Sequence, residues 1–229
     1  MMPATQPAKT VSCFLCALCV LCAFVVNGSA QIGVERGVFH IVSGGKEIGT
    51  ERFEIAPTSK GLRATGELQI AQPEVGRVVE TATLLLAGGA EPTHYERVQK
   101  APKRASVTVA FTGNSAAVHY VTADGQTQDA EFKVPKNVLI LDTNFFHHYT
   151  FLVRHYDFLK SGRQHMTVLV PQEGLPGVVT VEYVGPDQSL RKLVAHTDQL
   201  DIELWADDAG RVMKLRVPAA NVEITRESK

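Results

Sequence analysis

Past residue 30 the sequence holds no cysteine; all four, Cys13, Cys16, Cys19 and Cys22, lie before it. Residues 31–229 therefore have no disulfide, no thiolate-bound metal and no thiol nucleophile, and their stability must come from a packed core. Charge of one sign is equally short. The formal net charge is −1, and setting aside Lys9, the one charge in the first thirty residues, leaves −2. A balance that close to zero argues against a nucleic-acid surface, which needs a basic face. Tryptophan is down to one residue, Trp205. The longest apolar stretch, Val11 to Val26, is shorter than the ~20 residues of a membrane-crossing helix, so no permanent membrane span is expected.

That apolar stretch belongs to a three-part pattern: Lys9, the apolar run, then Asn27-Gly28-Ser29-Ala30, with small residues where a signal peptidase reads. Residues 1–30 are thus expected to be a cleavable export signal, cut near Ala30, which delivers 31–229 to the periplasm or the exterior. The three-residue spacing of the cysteines superficially matches an iron–sulfur ligand run. Phe14, Leu15, Leu18, Val20 and Leu21 fill the gaps, however, and make the segment a hydrophobic helix rather than a cluster cage. About 200 residues remain, ordinary for a single domain.

From Arg36 to Val134 the pattern has the two-residue period of half-buried strands. In the stretch Leu62 to Ile70, the side chains of Leu62, Ala64, Leu68 and Ile70 share a face with Gly66, opposite Arg63, Thr65, Glu67 and Gln69. One dry and one wet face is the antiparallel habit, since parallel strands are covered on both sides. Similar stretches are expected at about 37–43, 46–56, 78–86, 93–100, 105–112, 116–122 and 127–134. They resume at about 164–171, 178–184, 191–197, 199–205, 211–217 and 221–226. Turn residues separate them, with Asp124-Gly125 the strongest hairpin signal, because both positions favour positive φ. The spacing predicts an all-β meander of about 12 to 14 strands in one domain, 31–229.

One α-helix is predicted over 142–159, capped by Asp142 or Thr143. Phe145, Tyr149, Leu152, Tyr156 and Leu159 recur at steps of four, three, four and three, which puts them on one stripe. The one-sided strands need a cover, and this stripe is the only long one available, so the helix is expected to pack against them with His147 on the outer side.

Four landmarks resemble a family of exported bacterial antiparallel β-proteins known only as a domain of unknown function. They are Gly45-Lys46-Glu47-Ile48-Gly49, Pro92-Thr93-His94-Tyr95, Leu152-Val153-Arg154 before Gly162, and Leu204-Trp205-Ala206-Asp207-Asp208. The resemblance implies a strongly curved antiparallel sheet or open barrel with a helix packed against it, and it brings no catalytic residue. More distantly, the sequence resembles the periplasmic lipoprotein-carrier type of curved sheet, which holds a lipid chain.

The densest chemistry is His147-His148 with Arg154-His155-Tyr156-Asp157. A zinc reading fails on spacing: His148 and His155 are seven apart, about 10.5 Å along a helix, and one metal ~2.0 Å from each nitrogen cannot reach both. No serine lies in a Gly-x-Ser-x-Gly setting. Asp201 and Glu203 share a strand face that solvation explains, and Asp207-Asp208-Ala209-Gly210 reads as a turn. No catalytic residue, metal or cofactor is therefore assigned. The favoured reading is a non-enzymatic envelope protein that binds a lipid, another hydrophobic ligand or an envelope partner. Phe145, Tyr149, Leu152, His148, His155, Tyr156 and Trp205 are the candidate contacts. Trp205 can equally line a pocket or cover a sheet edge. A structural or assembly protein is one alternative, and a hydrolase or isomerase using His147, His148, His155 and Asp157, with Arg154 for an anion, is another.

Intact mass of the exported form should show loss of the first residues up to about Ala30. A mass that retains the four cysteines overturns the export signal.

Overall fold

The computed structural model describes residues 33–160 and 162–228, which belong to one compact unit, Ile32–Lys229. The proposed export signal and its cysteines lie outside the described residues, as does Ser161.

Fifteen strands form one sheet. β1 (Glu35–Ser43), β2 (Lys46–Thr58), β3 (Gly61–Gln72), β4 (Gly76–Ala87), β5 (Pro92–Ala101), β6 (Ala105–Thr112), β7 (Ser115–Val121) and β8 (Thr127–Lys133) run as one meander. The chain then jumps to the opposite edge, where β9 (Leu139–Ile140) lies parallel to β10 (Arg163–Val170). β11 (Leu175–Asp187), β12 (Leu190–His196), β13 (Asp201–Ala206), β14 (Val212–Val217) and β15 (Val222–Arg226) meander back until β15 pairs with β1. Every pairing but that of β9 with β10 is antiparallel. The expected meander and its alternation are thus present. β3 buries Ala64, Gly66 and Leu68 and turns Arg63 and Glu67 outward, and Gly125 turns the β7–β8 hairpin at φ 83°. The strand that alternation did not reveal is β9, two residues long and buried at both.

The link from β8 to β9 dictates the curvature. Fifteen strands about 4.8 Å apart make a flat sheet more than 60 Å wide. The five residues Val134–Val138, fully extended, bridge only about 20 Å. The sheet must therefore curl until its edges approach. At one closing contact the Tyr120 hydroxyl of β7 donates to the Pro171 carbonyl after β10, at 3.0 Å. The sheet stays open, since β8 and β9 sit at opposite ends of the strand order.

The inside of the curl is filled by residues 141–156. The predicted 142–159 helix is shorter than expected: a 3₁₀ turn, Phe146–His148, leads into α1, Tyr149–His155. Asp142 caps nothing helical, because its carboxylate is taken by the Tyr95 hydroxyl and, at 2.8 Å, by the Asn144 amide. At the other end Tyr156 is extended, and its hydroxyl donates to the Gly162 carbonyl (2.7 Å) and accepts from the Tyr183 amide (3.3 Å). Those two tethers end the helix at His155. Of the expected stripe, Phe145, Tyr149, Leu152 and Tyr156 are buried, whereas Leu159 is 97% exposed. His147, expected on the outer side, is fully buried, because the 3₁₀ turn rotates its ring inward onto Phe53, stacked at 5.5 Å.

β3 makes room for this plug at Gly66, where a Cβ would stand 2.6 Å from Phe145 Cδ1 and 2.8 Å from His147 Cε1. Leu152→Ala should cost about 2 to 5 kcal/mol through the cavity it leaves. Gly66→Val should lower the urea midpoint as well, by pushing the plug off the sheet. Midpoints equal to the parent's for both would make the plug peripheral.

Candidate functional site

Two features of the concave side compete for a functional role, a sealed polar cluster and an apolar cavity. The cluster arises because several strands carry a charged residue in phase with their buried apolar ones. β2 reads Glu51, Phe53, Ile55 on its buried face, and β4 reads Val78, Glu80, Ala82, Leu84. A buried carboxylate must be hydrogen-bonded or neutralised. Both solutions are used.

Glu80 is held by the Arg97 fork, Nε at 2.9 Å and a terminal nitrogen at 2.5 Å, and by Asn144 Nδ2 at 3.1 Å. Glu35 accepts from Arg154 at 2.6 Å and Arg226 at 2.7 Å. Glu51 accepts the Phe146 amide at 2.8 Å, at the start of the 3₁₀ turn, and meets His147 Nδ1 through its other oxygen. Burial raises the Glu51 carboxyl to about 8, against the pull of the Phe146 and His147 amides. Burial likewise lowers His147 to about 3, with Glu35 opposing. Glu51 is thus protonated at neutral pH and donates to a neutral His147. His148 is lowered too, by burial first and His147 second, and its Nδ1 accepts the Asp142 amide at 3.4 Å. Asp142 is raised by burial, with Arg97 opposing.

This cluster can tie the plug to β2, β4 and β5. It cannot meet a solute, because His147 and His148 are each 0% exposed. Nor do the sequence candidates converge. His155 is half-buried, with Nδ1 3.1 Å from the Phe151 carbonyl, and Asp157 faces Lys160 at 3.1 Å. Arg154 is committed to Glu35. Phe145, Leu152 and Tyr156 fill the core. Trp205 covers the outer sheet face: its Nε1 donates to Asp187 at 2.7 Å, and Lys192 and Lys214 lie 4.9 and 5.3 Å from its ring centre.

Of the candidate contacts, Tyr149 borders a cavity of about 280 Å³ between α1 and strands β10 to β13. Leu141, Val168, Val179, Ala195 and Ile202 form its buried apolar wall, and Leu175 and Val178, 65% and 58% exposed, mark its opening. The Thr197 hydroxyl accepts the Leu200 amide at 3.0 Å and so fixes the turn that carries Leu200 into the lining. Sequence reading missed this cavity, and it missed Glu51 and Glu80. A charged residue in the apolar register of a strand was the available signal for the carboxylates. The cavity has no such signal, because its wall joins five separated segments.

No family model matches the sequence, nor does any curated protein. The likeness lies in the fold. A solved β-barrel-like protein of the domain of unknown function DUF1849, from Brucella abortus, superposes with a TM-score of 0.54 at 10% identity, over 86% of this chain and 96% of that one. A DUF1089 family protein from Pseudomonas aeruginosa gives a TM-score of 0.49 at 14% identity, over 74% and 90%. The DUF1849 likeness bears out, for the fold, the resemblance to antiparallel β-proteins of unknown function expected from the landmarks.

The buried pair sets a pH optimum. Glu51, raised to about 8 from its ordinary 4.5, contributes stability that is lost as pH rises from 4.5 through 8. His147, lowered to about 3 from 6.5, contributes stability that is lost as pH falls from 6.5 through 3, and His148 acts in the same sense. Urea midpoints should therefore peak near pH 6.5 and fall on both sides. Glu51→Gln, which keeps both hydrogen bonds, should flatten the alkaline fall. An alkaline limb unchanged in that variant assigns the fall to another group.

Proposed function

We propose that this is an exported cell-envelope protein that binds a small hydrophobic ligand and performs no chemistry on it. The observation that carries the reading is the apolar cavity beside Tyr149, open at Leu175 and Val178. Ligand sites are concave, mostly apolar and carry few polar groups, and typically measure about 300 to 1,000 Å³. At about 280 Å³ this one stands at the small end. It suits a single aliphatic chain or one ring system rather than a lipid with several acyl chains. The sealing of His147 and His148 speaks against the hydrolase reading, since a general base must come within hydrogen-bond reach of its substrate. Export rests on the Lys9, apolar-run and Ala30 pattern. Among the described residues no helix is long and apolar enough to cross a membrane.

An assembly role has one observation of its own. Phe158 and Tyr183 meet edge to face at 5.5 Å, flanked by exposed Leu159 and Val184, a patch that a protein partner would cover.

Displacement of a solvatochromic hydrophobic dye separates the readings. Leu200→Trp, which fills the cavity from its partly buried turn, should abolish dye binding while the thermal midpoint stays within a few degrees of the parent's. Undiminished binding in Leu200→Trp places the dye elsewhere and overturns the cavity reading. Loss of binding on Leu159→Ser instead favours the outer patch.

A further inference from the structure

The sign of the cavity's polar rim says what kind of head its ligand carries. The lining contains two carboxylates, Glu173 and Asp198, and no lysine, arginine or histidine. Glu173 follows β10 in the turn to β11, and Asp198 follows β12 in the turn to β13, so the two approach from separate hairpins. Both are exposed, and neither is ion-paired with a described residue. Thr143, Thr197 and Gln199 complete the polar lining. Two carboxylates without a basic partner in the lining of the same cavity set a local negative field there.

A second, independent observation points to a ligand with a polar end. Tyr149 is more than nine-tenths buried, borders the cavity, and its hydroxyl hydrogen-bonds no described residue. Its phenol is pushed up by burial, with Asp142 adding to the effect, so it stays neutral and its oxygen can accept from a donor. A hydroxyl at the cavity wall with no described protein partner can pair with a polar group that enters the cavity.

We infer that the cavity takes a single-chain amphiphile with an ammonium end, its tail against the wall formed by Val168, Val179 and Ile202 and its cation between Glu173 and Asp198. The inference rests on the cavity reading above and adds the sign of the head. Counting ~30 Å³ per methylene-sized group, comparable to the share of one liquid water, the volume holds a tail of about nine such groups. A carboxylate- or phosphate-ended amphiphile of equal length meets like charges at the mouth and is disfavoured.

Three ten-carbon probes decide it: decylammonium, decanol and decanoate, titrated into the full-length mature protein at pH 7. Decylammonium should bind about fivefold tighter than decanol, the size expected for partly exposed charge pairs, and decanoate weakest. The preference should shrink in high salt, as exposed pairs are screened. In the E173Q/D198N variant the ratio of decylammonium to decanol affinity should fall to about one. Equal or tighter binding of decanol or decanoate by the parent overturns the assigned head group and leaves the cavity reading standing. Failure of all three probes to bind overturns both. A ratio unchanged in E173Q/D198N removes the two carboxylates from the site.

Discussion

The link between β8 and β9 is the constraint on which the rest of the structure depends. Five residues join the two outermost strands of a fifteen-stranded sheet, so the sheet cannot lie flat and must roll up. Rolling creates an interior, and an interior of apolar strand faces must be filled. The chain fills it with the segment that follows β9, so one short connection both bends the sheet and delivers its own filling. Phe145, Leu152 and Tyr156 enter the core because the link leaves them nowhere else to go.

The filling is held by more than apolar contact. Inward-facing Glu35, Glu51 and Glu80 would be intolerable in an all-hydrocarbon core. Each instead meets a donor from the plug or a neighbouring strand: Arg154, the Phe146 amide, and Arg97 with Asn144. Apolar contacts are non-directional, whereas these hydrogen bonds have fixed directions. They fix the depth and angle of the plug, and Gly66 leaves the space that the angle demands. The cavity follows as a by-product of that placement. Polar ties hold the start of the plug near β2 to β5, and Tyr149 faces β10 to β13 across a gap.

Much of this was legible in the sequence. Side-chain alternation located every strand but β9, because a strand with one wet face advertises itself every second residue. The four-three-four spacing also found which large side chains enter the core. It misjudged the helix itself, since the same spacing fits an extended–3₁₀–α path when both ends are tethered. The tethers are long-range: Asp142 answers to Tyr95 and Tyr156 to Tyr183, partners that no local window contains. His147 was misplaced for the same reason, as its inward turn depends on Glu51, ninety-six positions away. Glu51 and Glu80 were visible as acids in an apolar register, but alternation alone reads such a residue as a lapse rather than as an anchor.

The pairing of β1 with β15 brings the first and last strands together in the middle of the sheet, Phe39 opposite Arg226. As the chain emerges in order, β1 pairs with β2 at once, yet its other edge stays bare until the final strand arrives. A sheet edge of that kind recruits other chains while it waits. Assembly is thus completed by its most sequence-distant contact, which makes folding slow by topology whatever the strength of the core. Completion of the sheet thus waits on the last strand, and the unguarded edge of β1 closes only when the whole chain is available to fold.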